Sequence, residues 1–291
     1  MYSLPPGFAF STLGCPKLDL PGVIALAKNH GVTQLEWRVF ENRLDLPAYF
    51  SERFASYTEL AEYLKREEMQ VCCIDTSFAL LGHDQEQRNA LEAFVSLAEA
   101  VGAPYLRIFG GGKEPALTPE QLTSASNFYR WWRNYKQING IHCDVLVETH
   151  DQLVDTDQCL RLIKHIGPDF LILWDTHHIW RNKEEHPRHT WQQLRANIRH
   201  IHIKDSIFRD SALNPTSGMN YRYVLPGTGE FPLLETIAML RGKGSKVPKL
   251  VISLEWEKLW HPTLAPLDDA LEALASILQR GMEEKKIPTE Q

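Results

Sequence analysis

Four stretches in the second half of the chain end in the same way. Residues 170–178 read Phe-Leu-Ile-Leu-Trp-Asp-Thr-His-His, and 144–150 read Asp-Val-Leu-Val-Glu-Thr-His. Residues 200–205 read His-Ile-His-Ile-Lys-Asp, and 250–255 read Leu-Val-Ile-Ser-Leu-Glu. Each is a β-rich apolar run that stops at an acid or an imidazole. Short continuous apolar runs are the pattern of strands buried on both faces, as in a parallel sheet. Carboxylate and imidazole are ligand types for divalent cations. The four endings predict strand ends converging on one ion, held by Glu148, Asp175, His202 and Glu255. Three carboxylates and one imidazole suit a divalent metal, manganese first, with magnesium, cobalt or zinc also accommodated. No cysteine belongs to the set, which argues against a structural zinc.

Side chains alternate across a strand, so His200, His202 and Lys204 share one face, and Glu148 is paired with His150. His202 then stands at the rim, with His200 a layer deeper. Each residue alone has a plainer reading. Asp175 before Thr176 has the form of a helix N-cap. His200 reads as a hydrogen-bonded core histidine rather than a ligand, and His177 and His178 as loop residues. The four endings taken together favour the metal site.

The elements that must carry these endings alternate strictly. Strands are expected at 8–12, 34–39, 70–76, 105–109 and 145–148, in the run from 170, and at 201–204 and 250–255. Helices are expected at 20–29, 52–67, 85–101, from the cap at Thr118 to 139, and at 154–165, 191–198, 231–241 and 267–282. Gln121, three residues after Thr118, completes a capping box. Such alternation argues for a parallel sheet with right-handed crossovers. Eight units close naturally into an α/β fold of the (β/α)₈ TIM-barrel type, one domain over 1–291 with a polar tail from about 283. An open doubly wound sheet is the alternative, but no Gly-x-Gly-x-x-Gly follows the first strand. Gly110-Gly111-Gly112 reads as a flexible turn, and 206–229 as a long polar loop.

Composition narrows the function classes. With 291 residues, 43% of them hydrophobic, the chain is long enough for a large core, and a barrel uses roughly 250 residues as one domain. The formal charge of −6 and the lack of a basic tract argue against nucleic acid as a partner. The start, Met-Tyr-Ser-Leu-Pro-Pro-Gly, has no basic-then-apolar leader, and no apolar run nears the roughly 20 residues of a membrane span. The cysteines Cys15, Cys72, Cys73, Cys143 and Cys159 are odd in number, lack Cys-x-x-Cys spacing and mostly adjoin apolar runs. Reduced buried thiols and a cytoplasmic location are expected.

These motifs resemble the xylose isomerase-like TIM barrels, the sugar phosphate isomerases and epimerases whose superfamily includes endonuclease IV. The likeness rests on Glu148-Thr-His150, Asp175-Thr-His-His178, the 200–205 motif, Pro226-Gly-Thr-Gly-Glu230 and Glu255. Leu35-Glu36-Trp37-Arg38 and 106–111 resemble the family's second and fourth strands. The resemblance implies metal ligation by the same four residues, and a substrate contact from His178. It implies proton transfer beside a carbonyl through an enediolate, with Glu148 and Glu255 as the acid/base pair and the metal as Lewis acid. Arg38, Arg107 and Lys204 would donate to an anionic or polyhydroxy substrate at the same mouth, with Arg209 in the following loop also in reach. The expected partner is a small sugar, polyol or related keto compound, and the chain could form a homo-oligomer. Endonuclease IV itself uses a three-metal cluster and a DNA-binding face, neither of which is legible here.

Glu148-x-His150 with His202-x-Lys204 also resembles the 3-dehydroshikimate dehydratases, where a histidine abstracts a proton and water leaves; inosose dehydratases offer a related chemistry. His150 is therefore a third catalytic candidate. A non-catalytic binding protein is the remaining alternative. Trp37, Trp180, Trp256 and Trp260 fall near rim positions, where an indole either stacks on a sugar face or packs into a core or interface.

Overall fold

Eight parallel strands close on themselves in the computed structural model, which describes residues 3–208, 220–242 and 250–284. The first seven are β1 (Phe8–Ser11), β2 (Gln34–Trp37), β3 (Gln70–Leu81), β4 (Tyr105–Gly111), β5 (Asp144–Glu148), β6 (Leu171–Asp175) and β7 (Ile198–Ile203). Then come β8 (Asp205–Phe208) and β9 (Tyr221–Val224), and β10 (Val251–Leu254) supplies the eighth barrel strand. The order around the barrel is β1-β10-β7-β6-β5-β4-β3-β2. This is the expected (β/α)₈ architecture.

Helices fill the crossovers: α1 (Leu20–Asn29), α2 (Leu46–Ser51), α3 (Tyr57–Arg66), α4 (Gln85–Val101), α5 (Pro119–Asn139) and α6 (Thr156–Ile166) in the first part. α7 (Thr176–Lys183), α8 (Pro187–Leu194), α9 (Leu233–Arg241) and α10 (Leu267–Glu283) follow. Their ends are set by local chemistry. Thr118 and Gln121 form the expected capping box at the start of α5, and Asp84 with Gln87 forms another at α4. Gly102 and Gly140 close those two helices in the left-handed conformation. None of the described helices is long and apolar enough to cross a membrane.

The outer core lies between strands and helices. Inside the barrel, Cys73, Leu146 and Leu173 form a separate apolar cluster. Each stands two residues before an acid on its strand, Asp75, Glu148 or Asp175. Period two therefore places an apolar layer directly beneath a layer of acids.

Several elements differ from expectation. The helix expected over 52–67 starts later, as α3 at Tyr57, because Ser56 caps it and Glu59 reaches back to the Ala55 amide; α2 before it was not expected. β3 runs on to Leu81, with a register shift against β4 between Asp75 and Ala79. Gly110 and Gly111 belong to β4 rather than to a flexible turn. A Cβ on Gly110 would meet Leu153 Cγ at 2.8 Å and the His150 carbonyl at 3.0 Å, so glycine there admits the segment that carries His150. The expected 191–198 helix starts earlier, at Pro187, and Ile198 already opens β7. The 206–229 loop contains an antiparallel hairpin of β8 and β9. Arg209 and the tail beyond 284 lie outside the described residues.

Candidate metal centre

The four strand endings meet. Glu148 closes β5, Asp175 closes β6, His202 lies near the end of β7, and Glu255 follows β10; these strands are neighbours in the barrel. One ligand atom from each lies within 4.8 Å of every other, and all four residues are buried. His202 Nδ1 is 3.4 Å from Glu148 Oε1, 3.3 Å from Glu255 Oε2 and 4.0 Å from Asp175 Oδ2. Among the described residues, His202 Nδ1 and Glu148 Oε2 have no hydrogen-bond partner. Unpartnered buried polar atoms are costly. His202 Nδ1 faces Glu148 Oε1 and Glu255 Oε2, while Glu148 Oε2 is turned toward Arg107 Nε.

Asp175 is the helix N-cap that its place before Thr176 suggested. Its Oδ1 accepts the His177 and His178 amides at 2.9 Å and caps α7, while Oδ2 faces the cluster. His177 and His178 therefore sit in the first turn of a helix, not in a loop. His178 Nδ1 lies 3.4 Å from Asp175 Oδ2, and Nε2 lies 4.0 Å from Glu257 Oε1.

The bases have specific places. Arg107 lies between two acids, with Nε 3.4 Å from Glu148 Oε2 and Nη2 3.5 Å from Asp75 Oδ2, its guanidinium 4.0 Å from the centre of the Phe109 ring. Burial raises the Glu148 carboxyl, but Arg107 and His202 outweigh it and hold the group below its usual range. Arg38 is nearly buried; it donates to Ser77 Oγ at 3.0 Å and to the Asp75 carbonyl at 3.4 Å. Burial, with Arg107 nearby, lowers Arg38 to about 10. Lys204 is fully buried, with Nζ 2.8 Å from Asp175 Oδ2, 2.6 Å from Glu257 Oε1 and bonded to Glu255. His150 stands at the mouth, its ring 4.9 Å from that of His178 and 5.0 Å from that of Phe109. Burial alone would lower His150, but Asp151 at 2.9 Å and Glu148 raise it to about 9.

Sequence reasoning missed three acids. Glu36 accepts His200 Nε2 at 2.5 Å and His202 Nε2 at 2.9 Å, and Glu36, His200 and His202 form a second group with metal-ligand types and spacing. His200 is thus a hydrogen-bonded interior histidine, as its position implied. Asp75 lies beside Arg107, and Glu257 accepts from Tyr223 Oη at 2.7 Å. The signal was present: Glu36 and Asp75 end apolar runs in the first half, and Glu257 follows Glu255 by one strand period. Asp75, Glu148, Asp175, Glu255 and Glu257 are faced by Arg38, Arg107 and Lys204. Oxygen donors with one imidazole fit a divalent metal.

Trp37 and Trp256 are core residues rather than rim platforms. Trp37 packs 4.7 Å from Phe50, and Trp256 donates to the Ala265 carbonyl at 2.9 Å. Trp180 packs on Phe231, and Trp260 is exposed. Asp205, last residue of the 200–205 motif, faces away from the cluster and accepts amides of Ser206, Gly227, Gly229 and Phe231 at 2.9 to 3.2 Å.

Fold and site together define a class: a closed parallel barrel whose C-terminal mouth gathers acids and imidazole from adjacent strands. The chain belongs to the xylose isomerase-like TIM barrels, whose family model matches residues 24–278. Among solved structures it is similar to the probable 3-DHS dehydratase AsbF of Bacillus anthracis, at 20% identity and a TM-score of 0.72 over 94% of this chain and 98% of that one. It is similar to the IOLI protein with a bound zinc atom, at 15% identity and a TM-score of 0.70 over 97% and 99% of the two chains. A D-tagatose 3-epimerase-like protein matches at 17% identity and a TM-score of 0.66 over 95% and 97%. At these identities the likeness speaks for the fold. No curated protein matches the chain.

Proposed function

We propose that the chain is a divalent-metal-dependent isomerase or epimerase of a sugar or polyol, working by proton transfer beside a carbonyl. One observation carries this reading: Glu148 and Glu255, from β5 and from the end of β10, flank His202 Nδ1 at 3.4 and 3.3 Å. Glu148, Asp175, His202 and Glu255 would hold the metal. A divalent cation there supplies Lewis acidity to carbonyl and hydroxyl oxygens. Glu148 and Glu255 are the two carboxylates placed to take and return a proton on a substrate entering from the mouth. Arg107 lies against Glu148 and helps keep that carboxylate ionised. Lys204 lies against Glu255 and Asp175 and fixes their orientation. His178 and His150 line the approach from above. The zinc atom of the IOLI protein supports a metal in a barrel of this kind, with manganese the first expectation for this donor set.

A second reading, a dehydratase, is favoured by the place of His150, whose ring stands at the mouth beside His178 rather than in the barrel wall. The test uses ketoses, inososes and 3-dehydroshikimate with and without manganese. Solvent deuterium entering recovered sugar supports the isomerase reading. An ultraviolet-absorbing enone or aromatic product supports the dehydratase. Neither exchange nor such a product from any compound with metal present overturns both and leaves a binding protein.

A further inference from the structure

Glu36 lies on β2, and His200 and His202 lie on β7, strands separated in the barrel by β1 and β10. Their contact therefore crosses the barrel interior. Ile201 between the two histidines faces outward, so period two turns both imidazoles toward the same carboxylate. Each oxygen of Glu36 takes one ring: Oε2 accepts from His200 Nε2 at 2.5 Å and Oε1 from His202 Nε2 at 2.9 Å. All three residues are buried away from solvent.

A buried carboxylate is an expensive way to fill a barrel, and an apolar side chain of similar volume often serves stability as well or better. The arrangement has a more specific consequence. An ionised carboxylate only accepts, so the ring proton of His202 stands on Nε2. The lone pair of Nδ1 is then free, and Nδ1 is the atom that faces Glu148, Asp175 and Glu255. We propose that Glu36 is a positioning residue for the candidate metal: it holds His202 in the orientation and tautomer that present Nδ1 as a ligand, and His200 anchors its second oxygen. This rests on the metal reading above. Glu36 itself touches neither substrate nor metal. Outer partners of this kind typically govern roughly 10–100-fold in metal affinity.

The experiment titrates the metal-stripped full-length protein with manganese by calorimetry, in wild type, Glu36→Gln and His200→Gln, with circular dichroism to verify the fold. Wild type should bind one equivalent. Glu36→Gln should bind roughly 10–100-fold more weakly, because its amide can serve only one imidazole as acceptor. His200→Gln keeps a donor for Glu36 Oε2, and its affinity should stay within about threefold of wild type, well short of the loss expected on removing such a partner. Unchanged affinity in Glu36→Gln overturns the inference while leaving the metal reading intact. Equal losses in the two variants mean general disruption of the cluster and also overturn it. Two equivalents in wild type, one of them lost in Glu36→Gln, would make Glu36, His200 and His202 a metal site in their own right and overturn the positioning role. No binding by wild type overturns both the inference and the metal reading.

Discussion

Asp175 Oδ2 lies 2.8 Å from Lys204 Nζ, and both side chains are fully buried. The same ammonium reaches Glu255 and Glu257, so Lys204 serves three carboxylates at once. Lys204→Met keeps the length and removes the charge. Three carboxylates, those of Asp175 and Glu255 buried, then lose a partner, and breaking a buried pair costs about 3–5 kcal/mol. The metal-free variant should melt well below wild type. Added manganese should restore more stability to the variant than it adds to wild type, because metal and ammonium neutralise shared carboxylates. Equal increments in the two proteins would show that they do not.

Glu148→Gln and Glu255→Gln test the proton-transfer assignment. Each amide keeps the shape of the side chain but loses both basicity and ligand charge. Deuterium exchange into the true substrate should fall by about 10²–10⁴-fold in either variant, the range expected for loss of a general acid or base. Circular dichroism should retain the barrel, since the apolar layer of Cys73, Leu146 and Leu173 beneath the acids is untouched. Near-normal exchange in either variant would remove that residue from the catalytic pair.

Much of this site was legible because its residues end apolar strands, and strand endings survive errors of one or two residues in element boundaries. The fifth to eighth barrel strands announced themselves by the change from Val, Ile and Leu to acid and imidazole. Glu36 and Asp75 carry the same signature in the first half. Their partners, His202 and Arg107, are remote in sequence, and no local spacing reveals a contact across the barrel. The β8–β9 hairpin was hidden for a related reason: its strands are four residues each and lie far apart in the sequence, and a charged side chain from the loop end, Glu230, takes the Phe208 amide. Conversely, Trp37 and Trp256 looked like rim residues by position, but their rings turn into the outer core.

His150→Ala separates the two chemistries. The ring stands 4.9 Å from His178 and makes its charged contact with Asp151, outside the four-residue metal group. An isomerase that relies on Glu148 and Glu255 should lose modestly, through substrate placement. A dehydratase that uses His150 on the reacting proton should lose about 10²–10⁴-fold. Comparing the variant on whichever substrate the panel yields decides which role the residue has.

Asp205 shows that a motif residue can fasten a loop rather than enter the cluster. Its carboxylate accepts four backbone amides, from Ser206, Gly227, Gly229 and Phe231. These bonds draw the Pro226-Gly-Thr-Gly segment against the start of β8. A Cβ on Gly229 would stand 2.0 Å from Asp205 Oδ1, so the segment needs glycine there to approach. Asp205→Ala leaves four donors without their acceptor, some of them near enough to solvent to find water. Charge-assisted bonds of this type contribute about 1.5–3 kcal/mol each before such rescue, so a net loss of about 2–4 kcal/mol is expected. It should appear as a lower urea midpoint at unchanged slope. Metal affinity should remain near that of wild type, because Asp205 faces away from the four-residue group. A variant that folds normally but no longer binds metal would place Asp205 among the supports of the metal centre instead.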